Sequence, residues 1–198
     1  MASKIDLVSN ALILIGDTPI NTLDGNTRAQ QVGSNLYDNI VKFEITKHRW
    51  GFARKKAQLS LTTDVPADPE WQSIYQMPSD LLVLIKLYPN MNYQVYGDKV
   101  YTNGKAALYC DYIYDVPESE WPVYFSKMIE YALAKDFATS VRDSSAARGE
   151  MAAEYLNASR MARFTDSQQH PQTRIQSNPF TNVRYEFWLR QDSYNLAS

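Results

Sequence analysis

Between Thr27 and Leu61 the hydrophobic period of the chain changes, and this change limits the possible fold more than any other stretch. In TRAQQVGSNLYDNIVKFEITKHRWGFARKKAQLSL, Val32, Leu36, Ile40 and Phe43 recur at spacings of four, four and three, with Ala29 extending the series backwards. That is the apolar stripe of one helix face. Gln30, Gln31, Asn35, Asp38, Asn39 and Lys42 fall mostly between the stripe positions. The predicted helix runs about 20 residues, or about 30 Å. It meets His48-Arg49-Trp50-Gly51-Phe52, where two large aromatics around a glycine predict a sharp turn anchored in a core. From Gln58 to Thr63 the period is two, Leu59, Leu61 and Thr63 against Gln58, Ser60 and Thr62, which predicts a strand. A helical part therefore hands over to a β part.

The flanking sequence extends both parts. Ser3 with Asp6 three residues on has the form of a capping box, and Ile5, Val8, Leu12 and Ile15 fall on one helix face widened by Leu7, Ala11 and Leu14. Gly16 is the expected stop. Asp24-Gly25 marks a connector, and Asn26 or Thr27 caps the second helix. Pro66 and Pro69 keep 64–70 a loop. Trp71 to Met77 and Leu81 to Tyr88 read as extended segments. Tyr93–Tyr96, Lys99–Tyr101 and Ala107–Tyr114 are short strands parted by Gly97-Asp98 and Asn103-Gly104, and Asn-Gly is the strongest local hairpin signal. A meander of antiparallel strands is expected. Trp121-Pro122 opens a third helix with Phe125, Met128, Ile129, Ala132, Leu133 and Phe137 inward, and a fourth carries Met151, Tyr155, Ala158 and Ala162. The expected class is α+β: an antiparallel bundle of about four helices (1–56 and 117–166), an inserted small antiparallel β domain (57–116) and an extended C-terminal arm (167–198). The arm is polar and proline-broken, and its aromatics Phe180, Tyr185, Phe187 and Trp188 are candidate docking anchors.

Composition narrows the chemistry. The 198 residues are 44% hydrophobic and 21% charged, ordinary values for a globular chain. Fourteen tyrosines suit either contact surface or a Tyr-rich sheet. A net charge of −2 does not advertise a nucleic-acid or anionic-membrane surface. Cys110 is the only cysteine, so neither an intrachain disulfide nor a Cys-based zinc site can form. No charged-then-apolar leader is evident, and the apolar run Ala11 to Ile15 is far short of the ~20 residues that span a bilayer. The chain is expected to be made in the cytoplasm. No glycine-rich phosphate loop, HExxH, EF-hand or GxSxG occurs. His48 reads as structural. Asp64, Asp68 and Glu70, and Asp111, Asp115, Glu118 and Glu120, are loose acidic groups from which a glycosidase pair would have to come. Arg54-Lys55-Lys56 is a small basic patch, read as a solvated helix terminus. No catalytic, cofactor or metal residue is assigned.

The order of motifs resembles the tail tubular protein A family, the head-to-tail adaptors of tailed phages, notably short-tailed ones. ALILIGDTPINTL, LYDNIVKFEITKHRWGFARKKAQLSL and PEWQSIYQMPSDLLVL carry the resemblance, followed by YTNGKAALYCDYIYD, FSKMIEYALAKDFATSV and AAEYLNASRMARFTD, over about residues 3–166. It implies a structural virion protein of the neck, not an enzyme. It implies a dodecameric ring between the portal protein and the tail nozzle or tube protein, with genomic DNA passing through the bore and 167–198 reaching the portal. Two other functions stay open on the residues: a virion-associated glycan hydrolase, from the acids, and a DNA-binding neck or packaging protein, from Arg54-Lys55-Lys56.

Overall fold

Four helices and two antiparallel sheets make up the computed structural model, which describes residues 3–104 and 106–169. The class is α+β. Helices α1 (Lys4–Leu14) and α2 (Arg28–Thr46) precede seven strands. A 3-10 turn (Glu118–Glu120), α3 (Val123–Ser140) and α4 (Ser145–Gln168) follow them. The described residues up to Ser167 form one compact unit.

Both predicted N-terminal caps form. Ser3 accepts from the Asp6 N–H while the Asp6 carboxylate accepts from the Ser3 N–H, and Thr27 does the same with Gln30. Each box satisfies N–H groups that the first turn leaves free. Helix α1 stops where Gly16 takes φ 75° and the Asp17 N–H returns to the Leu12 carbonyl at 2.9 Å. Pro122 stands at the N-cap of α3, where a missing N–H is no loss.

The buried face of α2 is not the one that the stripe predicts. Ala29, Gly33, Tyr37, Val41, Glu44 and Ile45 are buried, Val32, Leu36 and Ile40 lie at the edge of the core, and Phe43 is 61% exposed. The face is turned by about one residue, roughly 100°. Gly33 explains the turn. A Cβ there would lie 3.0 Å from Val8 Cγ1 and 3.3 Å from Leu23 Cδ2, so glycine lets α2 approach α1 closely. Much of the rest of this core comes from Leu7, Val8, Ala11 and Leu12 of α1 and from the α3 face Phe125, Met128, Ile129, Ala132, Leu133 and Phe137, all as predicted, and it also takes in Ile113 of the strand region and Tyr155 and Ala162 of α4. Trp50 sits in it against Phe125, ring centroids 5.1 Å apart, and Phe125 meets Trp121 at 5.0 Å.

The strands form two sheets rather than a meander. Strands β1 (Arg54–Gln58), β4 (Leu81–Tyr88) and β7 (Tyr109–Tyr114) pair in the order β1-β7-β4. Strands β2 (Ser60–Leu61), β3 (Ser73–Gln76), β5 (Tyr93–Tyr96) and β6 (Lys99–Thr102) pair in the order β2-β3-β6-β5. The strand expected over 58–63 is divided at Leu59, whose side chain is buried and whose N–H donates to the Leu108 carbonyl at 2.7 Å. Leu59 is the pivot from one sheet to the other. A second core of Leu59, Tyr75, Leu87, Val100, Leu108, Cys110 and Tyr112 draws side chains from both sheets. Gly97-Asp98 closes the β5–β6 hairpin, with Gly97 at φ 61°. Asn103-Gly104 closes none, because β6 and β7 lie in different sheets and neither residue takes positive φ. Instead the Gly104 carbonyl accepts from the Tyr75 and Thr102 hydroxyls, which steer the crossing chain.

Candidate functional site

Phe180, Tyr185, Phe187 and Trp188, the anchors expected on the arm, lie outside the described residues. The other residues singled out by sequence are placed, and each has a definite environment.

Arg54, Lys55 and Lys56 open β1 and are not a helix terminus. Successive strand side chains point to opposite faces, so the triplet is split. Lys55 pairs with Asp80 at 2.9 Å and stands over the Tyr114 ring at 4.5 Å. That contact holds the Asp80 carboxyl below its usual range. Arg54 pairs with the buried Asp111 at 2.5 Å on the other face. Lys56 shares that face, where the register sets Asp111 between Lys56 and Lys86. Lys86 was invisible as a partner in sequence, because it is the lone charge in an apolar run thirty residues away.

Most of the acidic side chains singled out by sequence are engaged. Asp64 pairs with Lys99 at 2.6 Å, and the Asp68 side chain accepts from the Glu70 N–H at 2.9 Å. Glu120 accepts from the Tyr114 hydroxyl at 3.0 Å. Asp115 and Glu118 line an open cleft of about 420 Å³ with Tyr37, Asp38, Lys42 and Trp121. There Asp115 faces Lys42 at 3.4 Å, Asp38 faces Lys4 at 2.8 Å, and Glu118 accepts from the Tyr37 hydroxyl at 3.1 Å. Burial, with Glu118 beside it, pushes the Tyr37 hydroxyl far above its ordinary range, so Tyr37 stays a donor. Each of these cleft acids is coupled to a cation or a hydroxyl. Cys110 is buried and burial pushes its thiol up, the reverse of a reactive thiolate. Among the described residues no group of three or more His, Cys, Asp or Glu is placed to hold a metal ion, and no helix is long and apolar enough to cross a membrane.

Sequence reasoning missed two buried polar junctions on α4. Glu44, 3% exposed, accepts from the Tyr155 hydroxyl at 2.8 Å and from Lys47 at 2.6 Å. Asp166, 1% exposed, accepts from the Gly51 N–H and from the Tyr124 hydroxyl, both at 3.0 Å, with His48 Nε2 at 3.7 Å. His48 also meets Trp50 edge-on, ring centroids 4.7 Å apart, in line with its structural reading. Neither Glu44 nor Asp166 stands out in sequence, since acids on amphipathic helices ordinarily face water.

With one side of α4 fixed by these junctions, its other side is open. Leu156 is 53% exposed, Met161 63% and Phe164 58%. Leu156 and Phe164 are two helical steps of four apart, and Met161 lies one step of three before Phe164, so they share a face. Large apolar side chains exposed together on one helix are the kind of surface found at interaction sites. No protein-family model matches the chain, and no curated protein matches it significantly.

Proposed function

We propose that this chain is a structural adaptor of a tailed-phage neck, of the tail tubular protein A kind, and not an enzyme. The open apolar face of α4 carries the reading. Leu156, Met161 and Phe164 are large, exposed and co-facial, which suits a subunit that becomes covered on assembly. The motif order over residues 3–166 supports it, as does the engagement of each cleft carboxylate by a partner of its own.

In this reading the four helices act as one antiparallel bundle, 57–116 is an inserted β domain, and 167–198 is an arm. Copies assemble as a dodecameric ring between the portal protein and the tail nozzle or tube protein. The arm docks on the portal through Phe180, Tyr185, Phe187 and Trp188, and genomic DNA passes through the bore. The working location is the virion, and no cofactor is needed.

Sedimentation with portal rings tests the reading. The wild-type chain is expected to co-sediment as a ring. A Leu156→Asp/Phe164→Asp variant with unchanged circular dichroism is expected to stay in the supernatant. Normal co-sedimentation of that variant would show that the α4 face is not the assembly surface.

A further inference from the structure

At the exposed Tyr109 end of the β1-β7-β4 sheet, the face that carries Asp111 concentrates positive charge around one aromatic ring. Asp111 lies at its centre, cross-strand from Lys56 on one side and Lys86 on the other. Its carboxylate is taken by Arg54 at 2.5 Å. Among the described residues neither Lys56 nor Lys86 has an ion-pair partner. Both ammonium groups turn to Tyr88, Lys86 at 4.9 Å from the ring centroid and Lys56 at 5.2 Å. Two like charges thus sit within about 10 Å of each other on one ring, beside a carboxylate that Arg54 already engages. Tyr109, cross-strand from both Tyr88 and Gln58, continues the face, and all three are exposed.

We propose that this face binds the phosphodiester backbone of duplex DNA, with Lys56 and Lys86 contacting phosphates and Tyr88 and Tyr109 donating from their hydroxyls. Each strand of a duplex presents one charge per ~3.4 Å of axis, so the span between the two lysines covers neighbouring phosphates. Lysine, tyrosine and glutamine side chains are ordinary donors to phosphate and sugar, and such contacts position a backbone without reading its sequence. The chain as a whole carries −2, so the contact is local and weak at physiological salt. This goes beyond the adaptor reading and holds whether or not the chain forms a ring.

Fluorescence anisotropy of a labelled duplex of about 20 base pairs, titrated with the full chain from about 50 to 200 mM salt, tests it. Binding is expected to weaken steadily with salt. Lys56→Gln/Lys86→Gln is expected to lose at least about tenfold in affinity at the low-salt end, with the log–log salt slope falling by about two. Lys56→Arg/Lys86→Arg should keep the binding. So should Lys4→Gln/Lys127→Gln, which removes two lysines already paired with Asp38 and Glu130. Three results would overturn the proposal: no salt-dependent binding by the wild type, unchanged binding by the Gln pair, or competition by poly-glutamate as effective as that by unlabelled duplex.

Discussion

Asp166, near the end of α4, accepts the Gly51 backbone N–H on both carboxylate oxygens, at 3.0 and 3.1 Å, across 115 residues of chain. Gly51 lies in the exit from α2, where the chain leaves the helices for the first strand. The same carboxylate receives the Tyr124 hydroxyl from the first turn of α3. One buried side chain therefore joins α4, the helix-to-strand junction and α3. Asp166→Ala leaves a backbone N–H and a phenol without their acceptor, and should cost about 2–4 kcal/mol of unfolding free energy. Urea denaturation followed by tryptophan fluorescence reads this directly. A loss under about 0.5 kcal/mol would mean that the junction is not needed.

The Glu44–Tyr155 pair is the other fixing point of α4, with Lys47 donating to both side chains at 2.6 and 3.0 Å. Members of one buried network should not contribute additively. A double-mutant cycle with Glu44→Gln and Tyr155→Phe should give a coupling of about 1–2 kcal/mol. Additive single effects would show that the two side chains are merely neighbours.

Two helical glycines should respond in opposite directions. Gly149 lies in α4 with nothing within 4 Å of an added Cβ, so Gly149→Ala should stabilise by about 0.5–1 kcal/mol through the unfolded chain. Gly33 is hemmed in by Val8 and Leu23, so Gly33→Leu should cost about 2 kcal/mol or more by forcing α1 and α2 apart. Thermal melts of the two variants beside wild type decide both.

Three phenols should resist alkali until the protein unfolds. Burial is the largest cause at Tyr37, Tyr112 and Tyr124, and the carboxylates of Glu118, Asp80 and Asp166 act in the same direction. In each the folded pKa is raised, so the stability tied to it is complete below the unfolded value near 10. It is lost as the pH rises from there towards the folded value, because only the unfolded chain then releases the proton. Absorbance near 295 nm should show these three titrating together with unfolding, above about pH 10. Reversible titration of all fourteen tyrosines in a folded protein would contradict this.

Legibility from sequence followed how far each residue type speaks for its own position. The inward face of α3 could be read because Phe125, Met128, Ile129, Leu133 and Phe137 are apolar and nothing polar intrudes at their spacing. The face of α2 was read one residue off because its buried positions include Gly33, Tyr37 and Glu44, none of which counts as plainly apolar. Strand existence was legible from alternation, but pairing was not. Asn103-Gly104 has the composition of a hairpin turn, yet the strands on either side belong to different sheets. The grouping of Lys56 with Lys86 and Tyr88 depends on that pairing too, since it exists only once β1 and β4 flank β7. The junctions at Glu44 and Asp166 join residues more than a hundred positions apart, beyond the reach of any local pattern.

Light scattering on the purified protein, alone and then mixed with portal assemblies, reads the proposed joining of the chain to a portal ring. The expected result is a monomer that adds to the portal in a fixed ring stoichiometry. A small closed oligomer with no affinity for portal would rule out the adaptor role.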